Sequence, residues 1–412
     1  MPPFFSWLDY SERERQQMLD VISKFRDRET RDELGVGSIR DAFADIFFPG
    51  TSTIQTRARY FLFIPWTYLR LERKRTLSEK ASSLARKEEI RLIYGLLKCG
   101  EKEGVIGIDA KEKLQRLPSN IYWQGLDSWG IRLFKGTQPQ YHHYLDVCHY
   151  AREQERFNDD GEPAGGSTER SWHGHLPSAP KDFPDLCSFN LSAGEASYLQ
   201  ERIVMNQSNS LLGFLAEHGR ICDPVDYPWE HPQFASFPDQ HKRLLAHARN
   251  FSEAIYGAPL VYNLMLAEQV HNRQLIDEYR DKIKEWAAEL ISKRLDILAT
   301  WFERIGEFWD IIRAPSVRIP TLTKQFIIRW LSLVLKNGNA SKIADSLEAK
   351  QVIGDRERQI KRALSRLDNA RALELWSGHA GDFRLDYRWG KAQVLLNDIQ
   401  IGLRSANHVE SK

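Results

Sequence analysis

The chain has 412 residues, 42% of them hydrophobic and 11% aromatic, with 12 tryptophans. That is enough apolar material for about two to four packed domains, and it excludes a wholly disordered chain. Fifty-eight basic and 56 acidic residues leave a net charge of +2, which excludes a histone-like or polybasic-tail protein and confines any nucleic-acid surface to a local patch.

Residues 8–30 read as an amphipathic helix with Met18, Leu19, Ile22 and Phe25 near helical spacing. Residues 38–48 are a second helix, started by Ser38 and stopped by Pro49-Gly50. Residues 53–76 are expected to continue as a third, and 79–98 as a fourth, with Ile90, Ile93, Tyr94 and Leu97 on one face. A short helix at 109–117, a Pro118-Ser119 turn, a helix at 121–129 and a strand-like Ile131 to Phe134 follow. Residues 157–185, rich in Gly, Pro, Ser and acids, read as a linker or long insertion. Ser192 and Glu195 form a capping box that opens a helix at 193–206, and 209–218 follows as a short helix. Beyond it lie 238–256, a nearly unbroken helical pattern over 258–309, and helices at 321–335, 340–348 and 354–375. Residues 380–404 fit either strands or a helix.

The fold class expected is mainly α: a multi-domain helical protein with a winged-helix-like module at about 86–134 and a long-helix C-terminal bundle. The expected divisions are a helical N-terminal domain at 1–150, a flexible acidic insertion at 151–190 and a helical C-terminal domain at 191–412. The N-terminus lacks a signal peptide's basic n-region and cleavage site, and no apolar run approaches the ~20 residues of a membrane span. Four cysteines, none closer than 35 residues to the next, give no CxxC pair and suit a reducing compartment. A cytoplasmic protein is expected.

Charge is unevenly spread. Between Arg57 and Lys98 there are 11 basic and 4 acidic residues; residues 152–201 carry 4 basic and 10 acidic ones. Arg57, Arg59, Arg70, Arg73 and Arg75, interleaved with Tyr60 and Tyr68, are candidates to hold backbone phosphates. Arg132 follows the third helix of the winged-helix-like order, although that helix carries few cations for a recognition helix. Arg358, Lys361, Arg362 and Arg366 fall on one face of a helix expected over 355–371. Each of these sets reads equally as a solvated helix face.

Enzymatic chemistry is less well marked. His142, His143, Asp146, His173 and His175 could make a metal-dependent hydrolytic site, but no HExxH motif or Cys/His quartet accompanies them. No P-loop, GxSxG elbow or GxGxxG is present. Tyr227, Trp229, Trp376 and Trp389, if exposed, would suit a pure protein–protein scaffold.

Three runs carry a resemblance. The first covers residues 38–61, with Phe47-Phe48-Pro49-Gly50-Thr51 at its centre. The second is Leu117-Pro118-Ser119-Asn120-Ile121-Tyr122-Trp123-Gln124-Gly125-Leu126 with Trp129-Gly130-Ile131-Arg132, and the third is Tyr262-Asn263-Leu264-Met265-Leu266-Ala267-Glu268. Together they resemble a bacterial family of unknown function encoded beside helicase, nuclease or methylase genes in phage-defence islands. The resemblance implies a subunit of an antiphage complex with a helicase or nuclease partner. It brings no catalytic residues and no cofactor. With the basic patches, the reading is a non-enzymatic DNA-binding or adaptor subunit.

Overall fold

The computed structural model describes residues 33–154, 170–313, 319–336 and 340–407. The helix expected over 8–30 lies outside them. The described residues are mostly helical, as the periodicity requires, and none of their helices is long and apolar enough to cross a membrane. They divide into two compact units, each built from separate stretches of sequence. One takes residues 33–43 and Arg243–Leu385; the other takes Ala44–Lys242 and residues 386–407.

Helix α1 (Gly37–Phe47) opens the described chain. The second unit is then organised around α2 (Tyr60–Arg73), in which every residue from Tyr60 to Tyr68 is buried. A helix apolar on all sides must be covered on all sides. Around it are α3 (Ser78–Lys98), α4 (Pro118–Ser128) and α5 (Gln138–Gln154). Phe61 stacks on Trp129 at 3.7 Å between ring centroids, and Tyr60 lies 5.3 Å from Tyr122. Helices α6 (Ala193–Gln207) and α7 (Leu211–His218) complete the unit with the C-terminal helix Trp389–Asn407, which packs along α6. The capping box at the start of α6 is present as its sequence demands: Ser192 Oγ accepts from the Glu195 amide, and Glu195 accepts from the Ser192 amide.

Two local expectations change here. Residues 53–59 are not helical. Their backbone is held by the Tyr122 hydroxyl, which accepts from the amides of Thr56 and Arg57 and donates to the Arg57 carbonyl. A winged-helix module is not seen. Residues 131–134 form no strand; a single antiparallel bridge joins Arg132 to Trp172.

The described part of the stretch read as a linker is packed. Trp172 and Phe183 are buried, as are Cys187, Phe189 and Leu191 just beyond the stretch, and Trp66 Nε1 donates to the Pro177 carbonyl. Gly95 makes this packing close: a Cβ there would lie 2.0 Å from the Pro184 carbonyl oxygen, a backbone atom that cannot rotate away. Gly95→Ala is therefore expected to lower stability by about 1–3 kcal/mol in urea denaturation, as overpacking does, despite alanine's better helix propensity.

The other unit is a bundle of helices. Helix α8 (Asp239–Ile255) leads into α9 (Gly257–Gln269) and α10 (Arg273–Lys293), which pack extensively on each other. The long pattern expected over 258–309 is thus broken. His271 takes a positive φ of 53°, and Asn272 caps α10 by accepting from the Leu275 amide. Two further short helices, Leu295–Glu303 and Ile305–Ile311, finish that stretch. Thr321–Lys336 and Leu347–Lys361 close the bundle. Its core holds Tyr262, Tyr279, Trp286 and Trp330.

Candidate nucleic-acid interface

Helix α3 sorts its charges by face. Its inner side buries Ala81, Ala85, Glu88, Glu89, Leu92, Ile93, Gly95 and Leu96. Lys80, Lys87, Arg91 and Lys98 follow at spacings of seven, four and seven residues, and all are exposed. At 100° per residue they fall within about 40° of one another, on a line about 27 Å long. Tyr94 sits in the same line, 37% exposed. Lys80, Lys87 and Lys98 make no ion pair among the described residues. Arg91 is held by Glu88 and by Asp185.

Two of the three acids on α3, Glu88 and Glu89, face inward, while Glu79 is exposed. Glu88 accepts from Arg91 and Lys74 and lies 3.5 Å from Arg70. Glu89 is buried and accepts from Ser119 through both its amide, at 2.8 Å, and its hydroxyl, at 2.7 Å. Burial pushes the Glu89 carboxyl up to about 7, against the pull of those bonds. Because this value lies above the unfolded 4.5, Glu89 favours folding fully below pH 4.5 and loses that contribution as pH rises to about 7. Glu89→Gln removes the titration. Its stability relative to the parent is expected to rise between pH 4.5 and pH 8 by about 3 kcal/mol. Urea unfolding at both pH values checks this; a constant difference would contradict it.

The last residue of α2, Arg73, and Arg75 in the turn before α3 are both exposed and without an ion pair among the described residues. Four of the other candidate arginines turn inward. Arg57 is bidentate to Asp398, with Nη2 at 2.9 Å, and lies over the Phe189 ring. Arg59 is buried against Glu195 at 2.7 Å and donates to the Ser188 carbonyl. Arg70 donates to the Phe183 carbonyl. Arg132, 2% exposed, donates to the carbonyls of Trp123, Phe134 and Gly136.

The C-terminal stripe is also dismantled. The helix ends at Lys361, and Arg362 follows with φ of 51°. Lys361 and Arg366 both reach the buried Glu33, while Arg358 pairs with the exposed Asp368. Arg362 alone of this set is exposed without an ion pair among the described residues.

His173 and His175 lie near each other, with ring centroids 5.5 Å apart. His142 stacks on Tyr68, with Nε2 3.4 Å from its hydroxyl, and Asp146 accepts from the Ser78 amide. His173 meets Arg202. No group of three or more His, Cys, Asp or Glu that could hold a metal ion occurs among the described residues. The four aromatics considered for docking are occupied as well. Trp229 and Trp389 are buried, Tyr227 stacks on Trp229, and Trp376 donates to Asn263.

The comparison with family models decides the chain's kinship: one family of unknown function, DUF6361, matches residues 2–401. The chain belongs to this family. No curated protein and no solved structure matches it. The DUF6361 match includes all three runs that carry the sequence resemblance, the whole of α3 and the turn before it.

Proposed function

We propose that this member of DUF6361 is a non-enzymatic DNA-binding or adaptor subunit of a bacterial antiphage complex, working beside a helicase or nuclease partner. The partner and the setting rest on the sequence resemblance. The DNA-binding half rests on one observation: Lys80, Lys87, Arg91 and Lys98 line one face of α3 while Glu88 and Glu89 are buried behind it. Cations on long, exposed side chains along a straight helix meet phosphates without reading bases. Arg73, at the end of α2, and Arg75, in the turn that follows, extend the same charge. Tyr94, whose hydroxyl donates to Glu112, offers a ring edge among them.

Fluorescence anisotropy with a labelled duplex tests the reading. Neutralising three to five phosphates gives an expected slope of log K against log[salt] of about −3 to −5. No binding at low salt, or binding indifferent to salt, would contradict it. Single-stranded DNA in the same titration shows whether Tyr94 adds stacking, which would appear as binding that survives at higher salt.

A further inference from the structure

The helical bundle holds an open cleft of about 420 Å³, lined by α8, by the helix Leu295–Glu303 and by the residues just after it. That volume is within the range of small-molecule sites. Every lining residue belongs to the bundle, so the cleft owes nothing to the α3 stripe.

The lining divides by chemistry. From α8 come two neutral donors, His247 and Asn250, three residues apart on one helix face. An indole only donates, so Nδ1 of His247 accepts from Trp301 Nε1 at 3.0 Å. Burial holds His247 below its ordinary value, so the ring is neutral near pH 7 and carries its proton on Nε2. Asn250 is only 5% exposed, and its Oδ1 accepts from Arg294 at 2.5 Å, which leaves the Nδ2 donor for the cleft.

From the helix Leu295–Glu303 come two acceptors. Asp296 is exposed, and its carboxylate has no ion pair among the described residues. Thr300 donates its hydroxyl proton to the Asp296 carbonyl at 2.9 Å, so its oxygen is left to accept. Arg304 pairs with Glu307 at 2.6 Å, and the two bias His247 in opposite directions. Their charges cancel, and Asp296 leaves the cleft with one net negative charge. Trp301 and Ile297 add apolar lining. Such a site disfavours phosphate and other simple anions. Its complement is a cation with a hydrogen-bond acceptor a few atoms away and an apolar group beside them. An α-ammonium and its neighbouring carbonyl are the smallest pair of that kind.

We propose that this cleft binds an α-amino carbonyl group, the ammonium on Asp296 and the carbonyl on His247 and Asn250. The source is either a free amino acid or the N-terminus of a peptide.

Isothermal titration of the full chain with L-leucinamide, L-leucine, N-acetyl-L-leucinamide and 3-methylbutylamine tests it. L-leucinamide is expected to bind at a single site. N-acetyl-L-leucinamide lacks the ammonium and 3-methylbutylamine lacks the carbonyl, and each is expected to bind about tenfold more weakly or worse. Asp296→Asn removes one exposed, unpaired charge. It is expected to melt close to the parent, yet to bind L-leucinamide about tenfold more weakly. Absence of binding by both L-leucinamide and L-leucine would overturn the proposal. So would equal binding of the N-acetylated compound, or a folded Asp296→Asn protein that binds like the parent. The first two compounds identify the source. Tighter binding of L-leucinamide, whose carbonyl is an amide, assigns the cleft to a peptide N-terminus, whereas L-leucine binding as well or better assigns it to a free amino acid.

Discussion

Glu357→Ala is expected to destabilise the chain by about 3–5 kcal/mol, the range for removing one partner of a buried charged network. Glu357 is fully buried. Its carboxylate accepts from the Tyr262 hydroxyl at 2.8 Å, the Arg366 amide at 2.7 Å and the Ser365 hydroxyl. Lys361 lies 3.6 Å away and is shared with Glu33, which also receives Arg366. Two carboxylates thus balance two cations in one buried cluster. Alanine leaves four donors, the Leu367 amide at 3.4 Å included, without this acceptor and one cation without a counter-charge. Urea unfolding checks the figure; a loss below about 1 kcal/mol would mean that the network is not what pins the 33–34 segment to the end of the Leu347–Lys361 helix.

Glu195→Ala is expected to cost a similar amount, for two separable reasons. Glu195 closes the capping box of α6 and is also the counter-ion of the buried Arg59. Arg59 Nε already lacks a partner, so losing Glu195 leaves that guanidinium with the Ser188 carbonyl and hydroxyl and the rings of Phe63 and Trp66, and no counter-charge. The sum is about 3–5 kcal/mol, mostly from the stranded cation. Glu195→Gln keeps a side chain that can cap and removes only the charge. Its cost is expected to be smaller by about 1 kcal/mol, the worth of the cap. Denaturant midpoints of the two variants check this, and equal losses would contradict the division.

These pairs explain why the fold was more legible than the site. Short-range signals carried through. Ser192 and Glu195 mark the start of α6 in the sequence, and they cap it in the structure. Ile39, Ala42, Phe43 and Phe47 recur at helical spacing, and all are buried in α1. Helix α5 was less visible because its buried apolar positions, Tyr141 and Leu145, stand among Gln, His and Asp. The end of the Leu347–Lys361 helix has no Gly or Pro to announce it. It is set by Ser365 and Arg366 turning back to the Glu357 carboxylate.

The cations needed a different reading. Arg57 and Arg59 crowd together in the sequence, but their partners lie far off along the chain: Asp398 is 341 residues from Arg57, and Glu195 is 136 from Arg59. No local pattern reveals such pairs. The α3 stripe does have a local signature, the spacing of Lys80, Lys87, Arg91 and Lys98, with the acids of the same helix one face away. Face, rather than count, was the informative quantity.

The most direct test of the nucleic-acid interface is to compare duplex binding by the parent chain and by a K80E/K87E/K98E variant, using anisotropy at two salt concentrations. All three lysines are exposed and none has an ion pair among the described residues, so the variant is expected to melt like the parent, within about 0.5 kcal/mol. Its affinity is expected to fall by tenfold or more at low salt, and its salt slope to shrink by about three, one for each phosphate that a lysine no longer neutralises. An unchanged affinity and slope in a folded variant would contradict the α3 interface.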